Sequence, residues 1–337
     1  MKHKALILLI IGIGTLIGMI LFIGPGNIES AIKQANMWYL ALAIIVQFIV
    51  YGFWTQRWAI NVEAVNISVR KLHLFPMLMV GLAVNNLTPS ARGGGEPIRG
   101  YMLSKYTRTS FEKSFATVIA DRGLDTFPFM VLAIITIIAA VLYLNLPNWV
   151  VYSLIFAVIL LLVIFFIAIY MSLNEAAGRK ITLWIVGIVK RFYKKDKDLE
   201  KNALNAIGGF QNSMRMMVKD KNVLTYGLSI SFIIWLFEIL RVYLVFSAFG
   251  VDVSLIIIAE VFIISSLLGL IPLLPGGLGA VDGIMIILFS AAGVPPSISA
   301  AATLVERLIS FWMTSIIGML LLPYFGTNIV EKISKKI

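Results

Sequence analysis

Runs of about twenty apolar residues recur along this chain, and no other feature constrains its fold as tightly. A helix of that length spans the roughly 30 Å hydrocarbon core of a bilayer. Such runs lie at 5–24, 38–58, 115–143, 150–170, 223–249 and 297–322. They predict six membrane-spanning helices, hence an all-α polytopic membrane protein. Composition agrees. Of 337 residues, 60% are hydrophobic and 13% charged, and the mean hydropathy is +0.94. Soluble domains carry nearly twice that share of charge. The first run follows Lys2 and Lys4 but ends in Gly24-Pro25-Gly26 with no small-x-small cleavage site, so it reads as a retained span and not a signal peptide.

Two further apolar stretches are too short to cross. Leu74–Leu87 precedes Thr88-Pro89-Ser90-Ala91-Arg92-Gly93-Gly94-Gly95. Leu255–Leu274 is broken by Pro272 and by Pro275-Gly276-Gly277-Leu278-Gly279, with a short apolar helix at 280–292 beyond. Each fits a re-entrant hairpin, near 74–104 and 255–292. Backbone of this kind is tolerated at membrane depth only where protein or a polar cavity surrounds it.

Charge sets the orientation. The net charge is +11, which in a membrane protein points to anionic lipid at the cytoplasmic face and not to nucleic acid. Lys and Arg concentrate in 172–222 and at Lys2, Lys4, Arg70, Lys71, Lys105, Arg108, Lys332, Lys335 and Lys336. The opposite loops hold only Lys33. Six spans and two hairpins put all the basic loops in the cytoplasm, with both termini, in the plasma membrane. Within 172–222, Leu199, Ala203, Ile207, Phe210, Met214 and Met217 form an apolar helical stripe. It suits either the inner leaflet or the protein's own cytoplasmic face.

The two halves repeat. Arg57 is followed by Asn66 nine residues on, by Pro89 after 32, and then by Gly93–Gly95 and Asp121-Arg122. Arg241 is followed by Gly250 nine residues on, by Pro272 after 31, and then by Gly276-Gly277-Leu278-Gly279 and Glu306-Arg307. The predicted units are 1–145 and 146–337, the second interrupted by 172–222. Each holds three crossings, an odd number, so the second unit is expected inverted. Inverted repeats with broken helices are the architecture of secondary transporters.

Chemistry is expected at those breaks. Helices starting near Glu96 and Ala280 would present free N–H groups and a dipole that favour an anion. Candidate anion-binding residues are Arg92, Gly93, Gly94, Gly95, Glu96, Arg99, Arg122, Gly276, Gly277, Gly279 and Arg307. Arginine's planar fork suits a phosphate. Asp121, Asp125, Asp282, Glu306, Glu238 and Arg241 are candidates for charge compensation or proton linkage, and Glu260 is a further buried acid. Purely structural roles stand beside these: glycine packing, an intramolecular cap by Glu96, and ion pairs that fix helices. Arg57, at the inner end of its span, is expected to snorkel to the interface. With no cysteine and only His3 and His73, Cys- or His-based metal and nucleophile chemistry is not expected, and no cofactor is.

The string Leu87–Tyr101 with Ala120-Asp121-Arg122-Gly123-Leu124-Asp125, and Pro272–Gly283 with Leu304-Val305-Glu306-Arg307, resemble the lysylphosphatidylglycerol synthase-type transmembrane family. Asp121 and Asp282 stand where that pattern leads one to expect Glu. The resemblance spans essentially the whole chain. It implies a flippase-like protein that moves a lipid or lipid-linked anion between leaflets. It does not imply the synthase activity, because a chain ending at Ile337 is expected to lack the soluble aminoacyl-transferase domain. Two other functions fit the residues: a small-anion channel or anion/proton exchanger, and a non-transporting scaffold recruiting a cytoplasmic partner enzyme through 172–222.

Overall fold

The computed structural model describes residues 25–88, 93–143, 148–192, 198–269 and 277–325, together with Ile17 and Leu21. Most described residues are helical, and no strand occurs among them. The helices are α1 (Pro25–Lys33), α2 (Met37–Ala64), α3 (Lys71–Leu87), α4 (Gly95–Thr107), α5 (Phe111–Tyr143), α6 (Asn148–Leu173), α7 (Glu175–Phe192), α8 (Leu199–Lys219), α9 (Lys221–Ala248), α10 (Leu255–Leu268), α11 (Ala280–Ala291) and α12 (Pro296–Arg307). After α12 comes a π-helical turn, Leu308–Met313, and then α13 (Thr314–Leu321) with a short 3₁₀ turn, Leu322–Phe325. Five stretches are long and apolar enough to cross a membrane: Met37–Ala64, Phe111–Ala139, Val151–Leu173, Lys221–Ala248 and Pro296–Tyr324. They coincide with five of the six runs read from the sequence. The first run, 5–24, lies almost wholly outside the described residues.

Local sequence explains the boundaries. Asn36, Asp220 and Ser254 cap α2, α9 and α10, each accepting from a backbone N–H of the first turn. The long spans α2 and α9 both stop at a residue in the left-handed region, Asn66 (φ 55°) and Gly250 (φ 71°). Asn and Gly are the residues that enter this region at least cost. Both stand nine positions after the arginines that began the repeat comparison.

The shorter helices come in two pairs. α3 (17 residues) packs on α4 (13), and α10 (14) packs on α11 (12). At 1.5 Å per residue each is shorter than the hydrocarbon core. In the first pair the glycines set the distance, because a Cβ on Gly95 would collide with the Gly81 carbonyl. The tightest long pairing is α2 with α9, while α13 rests on α3 and α5 on α10.

Apolar side chains face outward on this bundle. α6 shows it most, with Tyr152, Phe156, Ile159, Val163, Phe166 and Ile167 all exposed. The interior instead buries Gln47, Arg57, Asn61, Arg99, Asp121, Arg241 and Glu306. The stripe on α8 faces the protein: Met214 and Met217 are buried, Phe210 packs against Phe115, and Gln211 donates to the carbonyls of Met171 and Asn174 at 2.8 Å. Docking on the protein's own face is therefore the placement found.

Candidate functional site

A cavity of about 500 Å³ opens among the spans and the short helix pairs. Its charged lining is Arg122, Arg241 and Arg307 with Glu96, Asp125, Glu238 and Glu306. Gln47, Asn85, Asn86, Ser265 and Ser310 add neutral polar groups, and Trp54, Phe115, Phe129, Trp235, Phe262 and Phe311 add aromatic faces.

Beneath one side lies a linked set of ion pairs. The Arg57 Nε donates to Asp121 at 2.8 Å, and its Nη1 donates to Asp125 at 2.7 Å and to Ser231 at 3.1 Å. Arg99 donates to the other Asp121 oxygen at 2.9 Å, with its guanidinium 4.2 Å from the Trp58 ring centroid. Arg122 pairs with Glu96 at 2.6 Å and approaches Asp125 at 3.8 Å. Asn85 ties this set to the helix start, donating to Glu96 at 3.0 Å and accepting the Gly95 N–H at 2.6 Å.

The other side repeats the plan. Arg241 donates to Glu306 at 2.8 Å, pairs with Glu238 one turn back, and donates to Gln47 across α2. Arg307 lies 2.7 Å from Asp282 as an ion contact without an aligned hydrogen bond, and its guanidinium carbon is 4.7 Å from the Phe311 ring centroid. Asp282 also accepts the Gly279 N–H at 2.7 Å, capping α11 from within. The Arg57–Asp121 and Arg241–Glu306 pairs join residues 64 and 65 apart. Glu96–Arg122 and Asp282–Arg307 join residues 26 and 25 apart. Each landmark arginine of the repeat thus meets the acid of the acid-Arg motif in its own half.

The structure distributes the expected site residues as follows. Gly93, Glu96, Arg122, Asp125, Glu238, Arg241, Glu306 and Arg307 line the cavity. Asp121, Arg99 and Asp282 sit behind it as partners of the residues just described. Gly94 is the N-cap of α4, Gly95 is buried against Gly81, and Gly277 and Gly279 carry positive φ before α11. Arg92 and Gly276 lie outside the described residues. Two backbone amides proposed for an anion, those of Gly95 and Gly279, are already occupied by Asn85 and Asp282. Glu260 is buried, with neither oxygen hydrogen-bonded.

One expectation is corrected. Arg57 does not snorkel. It is 3% exposed and held by two aspartates. An interior carboxylate at the right depth outcompetes the interface for its charge. Four participants were missed: Gln47, Asn85, Asn86 and Ser231. Their signal was an amide or hydroxyl inside an apolar run, where each must find a partner. Asn86, for example, donates to the Phe311 carbonyl at 3.2 Å and Ser315 at 3.0 Å, joining α3 to the π turn.

A multi-pass helical membrane protein with a charged interior cavity is the class that this fold and site define. A model of the lysylphosphatidylglycerol synthase TM region matches residues 7–318, and the chain belongs to that family. It is 59% identical over 338 residues to a UPF0104 membrane protein of Methanothermobacter thermautotrophicus, covering 100% of both chains. Relatives with the same description occur in Methanocaldococcus jannaschii (31% identical, 98% of each chain) and Pyrococcus horikoshii (30% identical, 94% of this chain and 96% of that one).

Proposed function

We propose that this protein is a membrane transporter that moves an anionic phospholipid or a lipid-linked phosphate headgroup between leaflets. It has six crossings, counting the run at 5–24, and two re-entrant helix pairs in an inverted repeat. The units are 1–145 and 146–337, and both termini are cytoplasmic at the plasma membrane. The observation that carries this reading is the cavity, where arginines from both halves face one shared space inside an apolar bundle. Maintaining a charge at membrane depth costs roughly 2.5–3.5 kcal/mol on insertion scales, which is why such residues mark transport pathways.

On this reading Arg122 and Arg307 bind the headgroup. Arg122 is the more accessible, its side chain 34% exposed, so an incoming phosphate can share it with Glu96. Glu96 and Asp282 hold the two arginines while no substrate is present. The cavity's aromatic faces cover the non-polar parts of the headgroup. The chain's own work is then binding and re-orientation without bond chemistry, and we read it as a non-enzyme.

The test is flipping of anionic lipid in liposomes containing the full-length protein. Arg122→Ala and Arg307→Ala should each slow flipping at least tenfold. Normal flipping in both variants would refute the headgroup assignment. Flux of a small anion with no flipping would instead identify a small-solute exchanger.

A further inference from the structure

The two sides of the cavity differ in charge balance. On the first, three guanidinium groups (Arg57, Arg99, Arg122) meet three carboxylates (Glu96, Asp121, Asp125). On the second, two guanidinium groups (Arg241, Arg307) meet three carboxylates (Glu238, Asp282, Glu306). These counts are of the described residues; the undescribed stretch 270–276 contains no charged residue, and 89–92 contains Arg92, next in sequence to Gly93 of the first half. Asp282 is committed to Arg307 and the Gly279 amide. Glu238 and Glu306 are left to divide the single guanidinium of Arg241, which also serves Gln47.

Among the described residues, the surroundings offer no further compensation. On α9 itself, Arg241 is the neighbouring charge. From α12 come Glu306 and the engaged Arg307, and from α5 come Asp125, already held by Arg57, and Arg122, paired with Glu96. From α2 come Gln47 and Tyr51, both neutral, and from α10 comes the Phe262 ring, 5.9 Å from the Arg241 guanidinium. Where α8 meets α9, it shares the apolar cluster of Met214, Met217 and Val223. Glu238 is 8% exposed, and its Oε1 is shut off from solvent with no hydrogen-bond partner. An unpaired carboxylate oxygen in such a place is far costlier than a neutral acid. A metal ion would need open coordination space at this oxygen, while a proton needs none.

We infer that Glu238 and Glu306 share one exchangeable proton across Arg241, making the pair a proton-binding site on the cavity wall. One carboxyl is neutral while the other remains the counter-ion of Arg241. Resting on the transport reading, the consequence is coupling: an anion enters beside a neutral acid, and loss of the proton re-creates a carboxylate that expels it. Proton and anion then cross together.

The protonation itself is tested without any substrate. Infrared spectra of the full-length protein in lipid nanodiscs, recorded in H2O and D2O, resolve the C=O stretch of protonated carboxyls. At neutral pH, Glu238→Gln and Glu306→Gln should each abolish the same band, because either change leaves one carboxylate for one guanidinium. Asp282→Asn should leave that band in place, and Glu260→Gln should remove only a separate component. Persistence of the shared band in either Glu238→Gln or Glu306→Gln overturns the inference, as does its absence from the unmodified protein. If one variant fails to fold, the other decides. Loss of the band in a protein that does not flip lipid keeps the proton site and refutes the transport reading alone.

Discussion

At the scale of single residues, the buried arginines set what the protein tolerates. Arg57 and Asp121 are each nearly inaccessible and bonded to one another. Removing one partner of such a pair leaves an uncompensated charge inside the bundle, worth about 3–5 kcal/mol. Asp121→Ala should therefore lower the melting temperature in detergent sharply, while Arg122→Ala, at the half-open cavity wall, should lower it little. Equal losses in both would show that Arg122 is as structural as Asp121. The sequence made Asp121-Arg122 and Glu306-Arg307 conspicuous as charges in apolar runs. It could not pair them, because their partners lie between 22 and 65 positions away and packing alone decides which arginine reaches which acid. The snorkelling expected for Arg57 failed for that reason: a position near the end of a run says nothing about a carboxylate approaching from another helix.

At the scale of elements, periodicity identified amphipathic helices but not what their apolar stripes face. The stripe on α8 meets protein. The segment before it, α7, carries a second stripe, Ile181, Trp184, Ile185, Ile188 and Val189, all exposed, that the sequence reading passed over. Basic residues flank it at Arg179, Lys180, Lys190 and Arg191, and its opposite face packs on α8, where Gly178 admits the Gln211 side chain. α7 also follows directly on α6, a span covered in lipid-facing residues. These features suit a helix lying in the interface of an anionic leaflet. Brominated lipids should quench Trp184 in anionic vesicles alongside the exposed Trp38 and Trp149, so that Trp184→Phe removes part of the quenchable fluorescence while buried Trp58 stays unquenched. No difference between the variant and the parent would place α7 away from lipid.

At the scale of the whole molecule, the two halves carry matching ion pairs. Arg57–Asp121 with Arg241–Glu306, and Glu96–Arg122 with Asp282–Arg307, relate α2 to α9 and α5 to α12. The tightest packing, α2 on α9, falls between equivalents. Most of this was legible as order and spacing along the chain; the pairing across halves through Gln47 and Ser231 was not. The proposed orientation has a direct check, because the chain contains no cysteine. Single cysteines at Lys33 and Asp252 should react with a membrane-impermeant maleimide from outside, and those at Arg70 and Lys201 only after the cytoplasmic side is opened. Residues 33 and 252 labelling from opposite sides would end the inverted-repeat reading.

The π turn Leu308–Met313 has a consequence of its own. It accommodates one residue more than an α-helix would over the same rise, directly between Arg307 and α13. Everything beyond it is therefore phased against that extra residue: Thr314 toward Tyr51, Ser315 toward Asn86 and Gly318 against the Met79 carbonyl. A one-residue deletion within the turn would leave a regular helix over the same rise with those headings kept, whereas straightening the turn without a deletion would rotate everything beyond it by about 100°. After such straightening the span would remain as apolar and as helical as before, yet turned away from every partner it now has. In this part of the chain, an alignment gap of one residue is absorbed as it would not be elsewhere in the helix.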